Sequence, residues 1–99
     1  MLKPTIDLSP VRAQFPALQE TDAQDRPFVF FDGPAGTQVP QPVIDAVAHH
    51  YATAYSLAGG HFVTSRRCAE VVTQARTAMA DFLNAAATEE IIFGPNMTT

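Results

Sequence analysis

The sequence contains one cysteine, Cys68, and one lysine, Lys3. A single thiol excludes an intrachain disulfide and fits a reducing compartment. Basic charge is scarce too: six Lys and Arg stand against ten Asp and Glu, for a net charge of −4. Only Arg66-Arg67 approaches a basic patch, so nucleic acid is not an expected partner. No apolar run comes near the roughly 20 residues of a membrane span, and residues 1–7 lack the apolar stretch of a signal peptide. The expected placement is therefore cytoplasmic, without a membrane partner. His49, His50 and His61 have no cysteine or carboxylate at metal-ligand spacing, so no metal site is expected. Charged residues are only 16% and hydrophobic residues 46% of the 99, which is the balance of a globular chain of one domain at most.

What is present alternates between helical and extended patterns. Ser9-Pro10 starts a short helix, with Ser9 as cap and Pro16 as terminator. Thr21 to Arg26 is a polar connecting loop. Phe28-Val29-Phe30-Phe31, bounded by Pro27 and Asp32-Gly33-Pro34, reads as a buried strand entering a sharp turn that continues through Ala35, Gly36 and Thr37. The spacing of Val43, Ile44, Val47, Tyr51, Ala54, Tyr55 and Ala58 predicts a helix from Pro40 to about Leu57, closed by Gly59-Gly60. Cys68, Val71, Val72, Ala75, Ala78, Met79, Phe82 and Leu83 predict a second helix from about Ser65 to Ala86, with Thr64 or Ser65 as N-cap. Ile91-Ile92-Phe93 predicts another buried strand, stopped by Gly94-Pro95.

The expected fold class is α/β, with two main helices, short strands and an incomplete sheet. In open α/β sheets a strand leads into a loop and then a helix, and ligands bind at that carboxyl end. Here the loop begins and no helix follows, so Thr99 reads as a truncation point. The apolar helix faces also allow a second reading, a small α/β interaction module that offers them to a partner.

Three stretches recur in a fixed order: Phe30-Phe31-Asp32-Gly33-Pro34-Ala35-Gly36-Thr37-Gln38-Val39-Pro40 with Val43-Ile44-Asp45-Ala46; Gly59-Gly60-His61-Phe62-Val63-Thr64-Ser65-Arg66-Arg67 leading to Ala75-Arg76; and Glu89-Glu90-Ile91-Ile92-Phe93-Gly94-Pro95-Asn96-Met97-Thr98-Thr99. This order resembles the start of class V aminotransferases, most closely their cysteine-desulfurase-like branch, over about Phe15 to Thr99. The resemblance implies a fold-type I enzyme dependent on pyridoxal 5′-phosphate (PLP), working as a homodimer on a small amino-acid substrate. It implies that residues 1–26 are an N-terminal arm and that 27–99 open the large domain. Aminotransferase and epimerase activities are the alternatives within the family.

By the same resemblance, Thr98 supplies the hydroxyl for the PLP phosphate, with Met97 and Asn96 beside it. A phosphate needs N–H and hydroxyl donors, which this loop contains. The tetrapeptide by itself reads as an ordinary polar loop; the two upstream stretches favour the phosphate site. The family often has glycine where Asn96 stands, a mild departure because asparagine tolerates left-handed backbone. Ala35 and Gly36 occupy the turn where the family brings backbone close to the substrate carboxylate, although a plain strand-to-helix turn would also need small residues. His61 reads as an exposed loop histidine. Arg66-Arg67 sit in the first turn of a helix, against its dipole, which hints at a carboxylate or a partner subunit; a solvated surface pair is the commoner explanation. Cys68 falls on an apolar helix face and is assigned to the core. No catalytic residue is expected here, because the family's Schiff-base lysine and the aspartate at the pyridine nitrogen lie beyond Thr99. The 99 residues alone should be inactive.

Overall fold

The computed structural model describes residues 5–96 and 98. Two compact units divide the chain, Met1–Ala48 and His49–Thr99.

In the first unit, helix α1 is short, Ser9–Arg12. Ser9 does not cap it. Leu8 holds the cap position, and the Ser9 N–H donates to the Asp7 carboxylate at 2.9 Å. The anion that meets the helix start thus comes from one residue further upstream. Phe15 is extended before Pro16, as the proline ring requires, and a 3₁₀ turn follows over Pro16–Gln19. The Gln19 carboxamide donates back to the Arg12 carbonyl at 3.0 Å, beside the Phe15 N–H that the same carbonyl accepts at 3.1 Å.

The loop after Glu20 is closed by one antiparallel bridge, Thr21 to Pro27. Asp22 organises it. One carboxylate oxygen accepts the Gln24 and Arg26 N–H groups at 2.8 and 3.0 Å, and the other meets the Arg26 guanidinium at 2.7 Å. Asp25 takes the left-handed conformation this tight return needs.

The strand expected at Phe28–Phe31 is not formed. Among the described residues no partner ladder exists for it; its one outward backbone bond runs from Phe28 N–H to the Glu20 carbonyl at 3.4 Å. A β pattern in sequence marks residues suited to a sheet, but a strand exists only when a neighbour supplies the other half of its bonds. The side chains are accordingly open, with Phe31 93% exposed. Asp32 to Gly36 form a turn in which Ala35 N–H donates to the Asp32 carbonyl at 2.8 Å.

Helix α2 covers Gln41–Thr53. Its first residue is fastened to the segment after α1 by Gln41 N–H to the Gln14 carbonyl at 2.7 Å. It ends four residues before the expected Leu57, so Tyr55 and Ala58 leave its face. Helix α3 covers Val63–Leu83. Neither Thr64 nor Ser65 caps it, since Phe62 stands at the cap without a side-chain bond. Ser65 instead lies inside the first turn. Its hydroxyl donates to the Leu57 carbonyl at 2.6 Å and accepts the Gly60 N–H at 2.7 Å. The far end of α3 is closed by left-handed Asn84, with Ala85 N–H reaching the Ala80 carbonyl at 2.9 Å. This short asparagine cap stops the helix three residues before Ala86. A 3₁₀ turn, Thr88–Glu90, packs back on α3, and the Glu90 carboxylate accepts the Ala86 N–H at 3.0 Å.

Ile91 is extended, but Ile91–Phe93 forms no strand and has no partner strand among the described residues, which corrects the second expected strand for the same reason as the first. The buried positions among the described residues are Ala54, Ser65 and Ala80. The helix faces read as apolar stay open: Val47 is 52%, Phe82 81% and Leu83 59% exposed. Cys68, assigned to the core, is half-buried. Among the described residues no helix is long and apolar enough to cross a membrane.

Two outcomes follow. Replacing Ser65 with Ala strands the Gly60 N–H and the Leu57 carbonyl, and should lower unfolding stability by about 1–3 kcal/mol in a denaturant titration. Asp22 is held below its ordinary carboxyl value of 3.8, first by the Arg26 guanidinium and then by the Arg26 and Gln24 N–H groups. A depressed folded pKa means the turn's contribution is complete above that ordinary value and is lost as pH falls through the depressed one. A carboxyl NMR titration should place the Asp22 midpoint below 3.8, and Arg26→Ala should move it upward.

Candidate functional site

The expected cofactor residues lie at the end of the second unit. Gly94 to Asn96 carry the extended segment past Pro95 into a bend. The Asn96 side-chain oxygen accepts the Thr98 N–H at 2.8 Å. Both residues are exposed. Met97, the third expected cofactor residue, lies outside the described residues, as does Lys3. The left-handed non-glycine residues among those described are Asp25 and Asn84. Asn96 therefore does not use the backbone latitude that made it an acceptable replacement for glycine; it contributes through its carboxamide.

The expected substrate residues, Ala35 and Gly36, share one turn of the first unit. Gly36 has φ +153°, a conformation side chains rarely adopt, and a Cβ there would meet nothing within 4 Å. The glycine is thus required by backbone geometry, while the space above it is open. The structure joins Ala35 to Gly36 within this turn and Asn96 to Thr98 within the terminal loop. The two pairs belong to different compact units.

Between α2 and α3 the chain is tied more tightly than the sequence suggested. Gly59 has φ +100°, and a Cβ on Gly60 would lie 3.0 Å from the Ser65 hydroxyl. Arg66 and Arg67 are not a merely solvated pair. The Arg66 guanidinium donates to the His61 carbonyl, and that of Arg67 to the Thr53 carbonyl at 3.1 Å. Thr53 is the last residue of α2, so the cation sits at the negative end of that helix dipole. The apparent conflict of two arginines in the first turn of α3 is resolved because each reaches back to a carbonyl. His61 is exposed at the tip of this segment. Sequence reasoning named Ser65 only as a cap; its burial behind Gly60 was signalled by the Gly-Gly pair five residues upstream, which leaves room for a polar side chain to approach the backbone.

The terminal loop presents a hydroxyl and an N–H on Thr98, and no ionisable side chain occurs from Gly94 to Thr98. Such donors suit an anion. The Thr98 N–H already faces an oxygen at a distance that a phosphate oxygen also takes. The residues present therefore fit a phosphate group.

The chain matches known proteins over most of its length. The family described as Aminotransferase class-V matches residues 29–99. A cysteine desulfurase of Synechococcus elongatus is 41% identical over 88 residues, covering 88% of this chain and 14% of that protein. A probable cysteine desulfurase of Vibrio cholerae is 38% identical over 90 residues, 89% of this chain and 22% of that protein. A cysteine desulfurase of Yersinia pestis is 39% identical over 84 residues, 84% of this chain and 20% of that protein. The chain thus spans between about a seventh and a little over a fifth of the length of these relatives. With the family match running unbroken through the Asp32–Gly36 turn, both main helices and the Asn96–Thr98 loop, this chain belongs to the class-V aminotransferase family.

Proposed function

We propose that these residues form the opening segment of a PLP-dependent enzyme that acts on a small amino acid, with cysteine desulfuration as its reaction. The observation that carries this reading is the match to proteins named cysteine desulfurase, which extends across 84–90 residues. In this reading the segment belongs to the large domain of a fold-type I enzyme. Residues 1–26 are its arm and 27–99 the start of that domain. The Phe28–Phe31 and Ile91–Phe93 segments, which form no strand among the described residues, take their places in a mostly parallel sheet. That sheet would bury their open side chains and the apolar faces of α2 and α3. The protein works in the cytoplasm as a homodimer, without nucleic-acid or membrane partners.

PLP, when bound, supplies an electron sink for bond breaking at the amino acid's α-carbon and side chain. This chain's part is binding and orientation. Thr98 holds the phosphate through its hydroxyl, with the main chain of Met97 and Thr98 beside it. A phosphate clamped at one end fixes where the reactive ring lies, and fixed position is worth more to a bound reaction than extra contact area. Ala35 and Gly36 leave space for the substrate carboxylate, and Gly36 tolerates a close approach because no Cβ intrudes. The proton-moving lysine has no counterpart among residues 4–99, so proton transfer is assigned to residues outside this segment.

Transamination is the second reading, favoured by the description of the matching family. The two differ in product. A desulfurase given cysteine and a thiol reductant yields alanine and sulfide; an aminotransferase instead needs a keto-acid acceptor.

The test is Thr98→Ala in the protein loaded with PLP. Losing a hydroxyl bond to a charged phosphate should weaken PLP binding by about ten- to a hundredfold, as expected for a charge-assisted hydrogen bond. Dialysis followed by absorbance of the retained cofactor measures it, and unchanged retention would remove Thr98 from the site.

A further inference from the structure

The tight return from Thr21 to Pro27 fixes which way the following backbone faces. Asp22 N–H donates to the Arg26 carbonyl at 2.9 Å and Phe28 N–H to the Glu20 carbonyl at 3.4 Å, on either side of the Thr21–Pro27 bridge. Arg26 and Phe28 thus turn their main chain inward. Along a strand alternate residues turn opposite ways, which assigns Pro27, Val29 and Phe31 to the outer edge. The side chains keep the same period of two. The Phe28 and Phe30 rings lie 6.3 Å apart and are 45% and 38% exposed, whereas Val29 and Phe31 are 72% and 93% exposed. The main-chain groups of Val29 and Phe31 have no hydrogen-bond partner among the described residues.

We propose that this outer edge pairs with the same edge of a second copy of the chain, antiparallel and two-fold symmetric about Val29. The run Arg26-Pro27-Phe28-Val29-Phe30-Phe31-Asp32 is complementary to itself in that register. Val29 meets Val29, Phe28 meets Phe30, Pro27 meets Phe31, and Arg26 meets Asp32. Opposite charges close both ends of an apolar centre, the pairing that stabilises neighbouring strands. The Asp32 carboxylate has no partner among the described residues. Arg26 gives Nε and Nη2 to its own turn, which leaves Nη1 for a second carboxylate. Each Val29 N–H donates to the other Val29 carbonyl, and each Phe31 N–H to the Pro27 carbonyl opposite. Pro27 has no N–H to return, so the ladder stops there. The inner side of Arg26 and Phe28 is already engaged by Asp22 and Glu20. Association therefore closes as a dimer and does not grow into a fibre. The edge lies in the first unit and the Thr98 loop in the second, so this inference does not rest on the PLP site. A sheet neighbour from the same protein is the competing occupant.

Sedimentation velocity on the protein from about 10 µM to 1 mM, a range suited to a short ladder, should show a dimer forming. Val29→Pro removes the central donor at an exposed position where the fold loses no bond, and should abolish the dimer. Asp32→Lys sets like charges at both ends and should weaken association by about tenfold. Added salt should weaken the wild-type dimer and strengthen that of Asp32→Lys. Cysteines test the register in a Cys68→Ser background. Val29→Cys should oxidise to a covalent dimer, because opposite residues of a hydrogen-bonded pair lie within disulfide reach. Phe31→Cys, two residues off the axis, should not. A monomer throughout overturns the proposal and gives the edge to a neighbour from the same chain or to water. Association that Val29→Pro leaves intact, or crosslinking of Phe31→Cys in preference to Val29→Cys, overturns it in favour of another surface. PLP retention by Thr98→Ala is read separately, so the two readings fail independently.

Discussion

One buried hydroxyl ties the second unit together. Ser65 Oγ lies in the first turn of α3, donates to the carbonyl of Leu57 and accepts from the N–H of Gly60. It is the only side chain below 2% exposure among the described residues. The contact converts the connection between α2 and α3 from a flexible glycine link into a closed loop. Both glycines then have separate reasons: Gly59 for its positive φ, and Gly60 because a Cβ would meet the Phe62 ring at 2.5 Å and the Ser65 oxygen at 3.0 Å. Arg66 and Arg67, brought to the same turn, reach the carbonyls of His61 and Thr53. Bonds from three consecutive side chains thus set where α2 stops, how the loop runs and where α3 begins.

The remaining stabilisation is local in kind. Asp22 closes its own turn through Arg26, Asn84 closes α3, and Glu90 closes the loop after it. Apolar burial is slight beside these, with Ala54 and Ala80 as the buried hydrophobic positions among the described residues. Large apolar side chains such as Phe31, Phe82 and Ile92 remain open. Polar loop closures can shape a chain in this way, but it is burial of apolar surface that supplies most folding free energy.

The helices were legible in the sequence because a 3.6-residue period is a property of one segment alone. Val71, Val72, Ala75, Met79 and Phe82 announced α3 without reference to any neighbour. Helix ends were less legible, because Thr53 and Phe62 became boundaries through bonds made by Arg67 and Ser65 from elsewhere in the chain. The strands failed for a stronger version of the same reason: Phe28–Phe31 and Ile91–Phe93 have the right residues, yet a strand is a relation between two segments. Of the candidate site, family membership was legible from three short stretches in order. The carboxamide of Asn96 on the Thr98 amide was not, since sequence suggested a backbone role for that asparagine where the structure shows a side-chain one.

The account turns on the loop from Gly94 to Thr99 being a phosphate cradle. A crystal structure of the protein with PLP bound tests that most directly. The account predicts a phosphate oxygen within about 3 Å of the Thr98 hydroxyl, at ordinary hydrogen-bond distance. A phosphate held by other residues, with the Thr98 hydroxyl left in solvent, would contradict it.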